Sequence, residues 1–421
     1  MYPQSRTIEL VDQEKSIHSL QQLLIRLTFI NLFIVAVLGL TLRSYPFLNI
    51  PFSYKNFLHG HSHFAFGGWI MPLLIWLIIR YFPELCARIA FKHWRNIVFM
   101  IFISAYGMLL SFPFQGYGPV SIVFSTISIL AGFYLAFVIW QSSKKEKQKT
   151  SLRFLNAGLF YLVLSSIGPF ATGPLVAAGY VGTPLYFNAI YFFLHFQYNG
   201  WFSFALLAVL VKILEENQQA KNANTSFILL HLACVPTFFL SILWNHPNHL
   251  FNLIGGLAAL IQMVAFIFLI ANLRSVNTEN NFINLLIRLA LFGFLIKLIL
   301  QLASALPFIA DIAFLNRNFI VAYLHLVLVG FISLSGIAFI LRSEPALLSK
   351  QMKAGISLFI FSFITTEVLL IAEPIGRYLN FLISFFPNLL FCFSCVFPIS
   401  ALWIAFLVNR YYTIINRIQA A

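Results

Sequence analysis

The sequence predicts an all-α integral membrane bundle of about twelve transmembrane helices, and three observations carry that expectation. First, 60% of the 421 residues are hydrophobic, only 9% are charged and 49 are phenylalanine, too much apolar surface for one water-soluble core. Second, the apolar residues gather in about twelve runs of the roughly 20 residues needed to cross a bilayer. Third, the cations fall in alternate connections, as the positive-inside rule requires of a polytopic chain.

In chain order, residues 1–22 are polar and lack a small-residue cleavage site, so they predict a cytosolic tail rather than a signal peptide. Apolar runs then predict spans at 23–43, 60–82, 96–113, 119–140, 153–171 and 186–213. Further runs follow at 225–244, 249–272, 282–304, 318–342, 352–372 and 384–409. No linker long enough to separate domains interrupts them, so residues 23–410 are expected to form one membrane domain, with 411–421 as a second cytosolic tail. No internal repeat convincing enough to argue an inverted-repeat transporter is found.

Arg88, Lys92 and Arg95 lie in the second connection, and Lys144, Lys145, Lys147, Lys149 and Arg153 in the fourth. Arg342, Lys350 and Lys353 lie in the tenth, whereas 114–118, 172–185 and 245–248 contain no Lys or Arg. This asymmetry predicts both termini on the cytoplasmic side of a bacterial-type inner membrane. The formal charge of +14 is therefore topological, with attraction to anionic lipid as a by-product and no nucleic-acid partner implied. Cys86, Cys234, Cys392 and Cys395 are read as reduced packing residues. The segment GPFATGPLVAAGYVGTP at 168–184 reads either as a broken helix, which would suit a transporter, or as a long extracellular connection.

Seven of the ten histidines fall in the outer half of the predicted membrane, on four segments. His59, His61 and His63 occur in HGHSHFAFGGWIMP at the start of span two, and His195 lies in YFFLHFQYNGW of span six. His246 and His249 occupy the turn between spans seven and eight, and His325 lies in span ten. A single intramembrane histidine often serves as an interhelical hydrogen-bond donor. Convergence at one depth is what a metal or heme site requires. At about 100° per residue, His59 and His63 share one helical face and His61 points the other way.

The order of these segments, and VAYLHLVL from Val321 to Leu328, resembles subunit I of the heme–copper oxidase and nitric oxide reductase superfamily, where span ten reads like V-A-H-F-H-Y-V-L. The resemblance covers most of the chain. It implies a low-spin b-type heme held by His61 and His325, with His63 and His59 as neighbouring candidates. It also implies a second metal, copper or non-heme iron, at His195, His246 and His249. Tyr323 stands where the family carries its proximal heme ligand, and Asn199 replaces the tyrosine expected four residues after His195, with Tyr198 one position early. Tyr323 and Tyr198 are therefore the candidate catalytic residues. Arg377, in EPIGRYLNF, resembles the family's propionate-binding arginine, with an ion pair to Glu373 at i−4 as the competing reading.

Lys297 and Glu367 are the ionisable non-histidine groups well inside spans and are expected to pair. No continuous relay from the cytosolic side is visible in the sequence, which argues against a proton pump. The resemblance implies electron transfer, or oxygen or nitric oxide reduction, with electrons from an external cytochrome or a quinone and with accessory subunits. No C-x-x-C-H attachment motif is present. Two other readings stay open: a non-catalytic heme or metal protein acting as a sensor or tolerance factor, and a twelve-span secondary transporter.

Overall fold

A computed structural model describes residues 4–144, 149–271, 278–381 and 385–420, with side chains described over 13–418. Lys145 and Lys147 of the cation-rich fourth connection lie outside the described residues. The protein is an all-α membrane protein: twelve helices are long and apolar enough to cross a bilayer, and no strand occurs among the described residues. Helices are the expected solution, because every backbone N–H and C=O must find a partner within hydrocarbon.

Span one belongs to one long helix, Gln4–Ser44, so the polar segment after residue 4 is a helical extension rather than loose chain. Span two runs Tyr54–Tyr81, starting a turn and a half before the apolar run. Spans three to six are Phe91–Gln115, Pro119–Ser143, Thr150–Ala177 and Pro184–Glu216. Spans seven to nine are Ala223–Asn245, Leu250–Ile270 and Asn281–Ala303. Spans ten to twelve are Arg317–Ser343, Lys350–Tyr378 and Phe386–Ile418.

Three features depart from or add to the sequence reading. Much of the supposed connection 168–184 is helix Ile167–Ala177, which prolongs span five. Pro174 is tolerated within that helix, and Gly168 lets the helix approach span six closely, since a Cβ there would lie 2.4 Å from the Ala189 carbonyl oxygen. A short additional helix, Pro307–Leu315, fills the connection between spans nine and ten. Finally, the helices group into two compact, discontinuous units. Unit one comprises residues 1–142, 343–369 and 380–421, and unit two comprises 143–342 and 370–379.

In unit one, span one packs along the last helix, Val396–Ala420, and Arg26 Nε donates to Asn409 Oδ1 at 2.8 Å. At one end Arg80 pairs with Glu344 at 3.4 Å and donates to the Ser343 carbonyl at 3.0 Å. In unit two, spans five and six make the tightest pairing, with Phe154, Tyr161, Trp201 and Phe204 buried between them. That closeness depends on small residues, as is usual where membrane helices meet. A Cβ on Gly200 would stand 2.4 Å from Tyr161 Cβ, and one on Gly158 3.3 Å from Trp201 Cε3. All four cysteines are free, as expected.

Replacing Gly200→Ala should therefore force spans five and six apart. We expect a loss of about 1–3 kcal/mol, read as a lower thermal midpoint in detergent. An unchanged midpoint would contradict this packing.

Candidate functional site

Each of the three spans that carry an intramembrane candidate histidine changes from α- to π-helix just after it. The π segments are Ala65–Ile70 in span two, Phe196–Phe202 in span six and Leu326–Ser333 in span ten. No other π segment occurs among the described residues. A π turn holds an extra residue, is rare, and is found frequently at functional sites.

The sequences superimpose on these turns. HFAFGGWI from His63, HFQYNGWF from His195 and HLVLVGFI from His325 share His, then Gly five residues on, then a large aromatic. The aromatic residues, Trp69, Trp201 and Phe331, are all buried. The chain thus contains a threefold internal signature at nearly equal intervals, which sequence reading missed. Its signal was available: one His, one Gly and one aromatic at fixed offsets, with other positions alike only in polarity.

A π turn leaves a carbonyl without its usual amide partner, and in a span that oxygen has no bulk water to turn to. Each turn here is answered by a side chain. In span six, Ser203 Oγ donates to the Tyr198 carbonyl at 2.6 Å; in span ten, Ser333 Oγ donates to the Leu328 carbonyl at 2.7 Å. Both serines stand eight residues after their histidine. In span two, where that position is Met71, the donor comes from span one. Asn31 Nδ2, fully buried, donates to the Gly68 carbonyl at 2.6 Å, and Tyr106 Oη donates to Asn31 Oδ1 at 2.6 Å.

In unit one the three span-two histidines divide between two faces, as the 100° spacing requires. The His61 ring lies against span one, its Cε1 being 3.3 Å from where a Cβ on Gly39 would stand. His59 and His63 face span three and the turn after it. His63 stacks on Phe112 at 4.5 Å between centroids and shares a 3.0 Å hydrogen bond with Tyr117 Oη. His59 meets the Tyr117 ring edge-on at 4.8 Å, and its Nε2 is buried without a hydrogen-bond partner.

In unit two, His195 is completely buried and both ring nitrogens are engaged. Nε2–H donates to the Cys234 carbonyl at 2.9 Å, which leaves Nδ1 to accept from Asn199 Nδ2 at 3.1 Å and Ser241 Oγ at 3.3 Å. His246 takes a left-handed conformation at φ 52°, is exposed, and lies 3.7 Å from Asp311 Oδ1. His249 is exposed at the start of span eight. Among the described residues, no three His, Cys, Asp or Glu side chains are grouped as a metal ion would require. The trio His195, His246 and His249 is therefore not brought together here.

His325 is half-buried at the junction of α- and π-helix. Tyr323, two residues earlier, is half-buried with its ring 6.3 Å from that of buried Tyr198, at 74°. The two candidate catalytic tyrosines do meet. Arg377, by contrast, pairs with buried Glu373, which also accepts from Asn318 Nδ2 at 2.9 Å. This is the ion-pair alternative of the sequence reading. The expected Lys297–Glu367 pair takes one residue from each unit. Within its own unit Glu367 has Arg43 as charged neighbour, while Lys297 lies beside Cys234 with Nζ 5.4 Å from the Phe294 ring centre.

Among known proteins, no family model matches this chain and no curated protein matches it.

Asn31→Leu should strand the Gly68 carbonyl and the Tyr106 hydroxyl together. Two buried unsatisfied groups cost about 1–3 kcal/mol each, so we expect a clear fall in thermal midpoint. Asn31→Gln should recover part of it. Equal midpoints for all three proteins would show that the π turn does not depend on Asn31.

Proposed function

We propose that this membrane protein binds b-type heme through histidines of the π-broken spans, and that it works as a one-electron carrier in the membrane. The observation that supports the reading is that His61 and His325 each stand within four residues of the start of a π turn.

The residues suit a heme in donor chemistry. A b-type heme is held by neutral imidazole nitrogens, and His61, in unit one, and His325, in unit two, are each proposed as such a donor. Gly39 leaves room for the His61 ring. When bound, the heme would supply an iron that cycles between ferric and ferrous. The chain's own part is to fix the imidazoles on rigid helices and exclude water around them. Tyr323 and Tyr198 form an aromatic pair two residues from His325 and three from His195. Arg377 serves its ion pair with Glu373, so propionate binding is not assigned to it.

A copper or iron ion at His195, His246 and His249 does not fit the arrangement. His195 has both nitrogens hydrogen-bonded, and His246 and His249 are exposed. No catalytic step is derived through such an ion, and electron transfer is preferred to oxygen or nitric oxide reduction. The electron donor is proposed to be a separate cytochrome or a quinone. The cation asymmetry supports an orientation with both termini in the cytoplasm.

Oxidised and dithionite-reduced optical spectra of the detergent-purified protein test the assignment. Sharp reduced α and Soret bands are expected, lost or shifted in His61→Ala and in His325→Ala but kept in His246→Ala. Carbon monoxide should leave the bands nearly unmoved if two imidazoles hold the iron. Bands unaffected by either alanine change would overturn the ligand assignment. For orientation, a cysteine introduced at Gln219 should react with an impermeant maleimide only after cells are opened; labelling of intact cells would reverse the topology.

A further inference from the structure

The face of span two opposite His61 holds a cluster that the heme reading leaves unused. His59 and His63 stand four residues apart on one helix, the spacing at which two imidazoles chelate a single metal ion. Both rings contact the same two neighbours. Tyr117 lies 4.8 Å from His59 and 5.8 Å from His63, and Phe112 lies 6.0 Å and 4.5 Å from them, between ring centres. The two imidazoles are thus side by side in one aromatic enclosure.

The chemistry within that enclosure is incomplete. His59 Nε2 is buried without a hydrogen-bond partner, and a buried polar atom left so carries a desolvation cost that calls for an explanation. His63 Nε2 shares its contact with the Tyr117 hydroxyl, an oxygen that can itself ligate a metal. Asn56, one turn before His59, adds an amide oxygen nearby. It reaches the Tyr117 turn because residue 116 is glycine: at φ 59° a side chain would be strained, and its Cβ would stand 2.6 Å from Asn56 Oδ1. The nearest competing charge is Lys55, also on span two.

We propose that His59, His63 and Tyr117 form a binding site for one divalent transition-metal ion that prefers nitrogen donors, copper(II) above all. Two imidazoles and a phenol oxygen suit copper or zinc rather than magnesium or calcium, and among first-row divalent ions copper binds such donors most tightly. The ion takes the unused Nε2 of His59, replaces the His63–Tyr117 hydrogen bond, and releases the phenol proton as Tyr117 becomes a ligand. The site does not rest on the heme assignment, because His61 points to the other side of the helix.

The test is copper(II) titration of the full-length detergent-purified protein, followed by electron paramagnetic resonance and optical absorption. One bound equivalent with nitrogen hyperfine structure is expected, together with a phenolate-to-copper absorption band. His59→Gln or His63→Gln should weaken binding at least tenfold, and the double change should abolish it. Tyr117→Phe should keep the nitrogen signal and lose the optical band, and His61→Ala should alter neither. The proposal is overturned if no equivalent is retained against a competing chelator. It is equally overturned if the double variant binds copper unchanged, which would place the ion on other histidines. A protein without heme that still shows this copper signal would separate the failure of the heme reading from that of this one.

Discussion

The feature on which the site depends is a backbone one: a carbonyl oxygen released by a π turn inside a membrane span must be given a donor. In water such an oxygen would be solvated, but in hydrocarbon an unanswered polar group costs several kcal/mol. Asn31, Ser203 and Ser333 supply the donors. Two of the three come from the broken helix itself, five residues beyond the carbonyl. The third comes from a neighbouring span and is locked by Tyr106. The helix break and the polar residues that permit it therefore belong together, and each break lies just after a histidine.

Packing around the turns follows the same logic. The Gly in each signature coincides with the widened turn and the next residue is a buried aromatic, so each turn is made of one position with no side chain and one with the largest. Gly200 lets Tyr161 press against the span-six backbone, and Gly293 approaches the Gly330 carbonyl, 3.1 Å from where its Cβ would stand. Such contacts give rigidity without relying on the hydrophobic effect, which is weak between helices surrounded by lipid. A histidine anchored at such a point has few ways to move, as a ligand of an electron-transfer centre should.

The fold was readable in the sequence, the site only in part. Twelve spans follow from apolar length alone, because a helix satisfies all its backbone groups within one segment of that length. Span two was placed late because Lys55, Asn56 and His59 lower local hydropathy although the backbone there is already helical. GPFATGPLVAAGYVGTP looked like a connection because Gly and Pro punctuate soluble chains, whereas a membrane helix tolerates both. The division of the span-two histidines into two faces was correctly read from the 100° period. The grouping of His195 with His246 and His249 was not, since adjacency in a family pattern says nothing about which hydrogen bonds a histidine has already made. The threefold signature escaped because its three copies share only three residue types at fixed offsets.

The central claim is that these π-broken spans hold a heme. Its most direct test is the heme content of the purified protein, measured by pyridine hemochromogen per mole of chain after expression with heme in excess. The account predicts a stoichiometric amount of heme b. A protein that carries none, while folded and monodisperse, would contradict it.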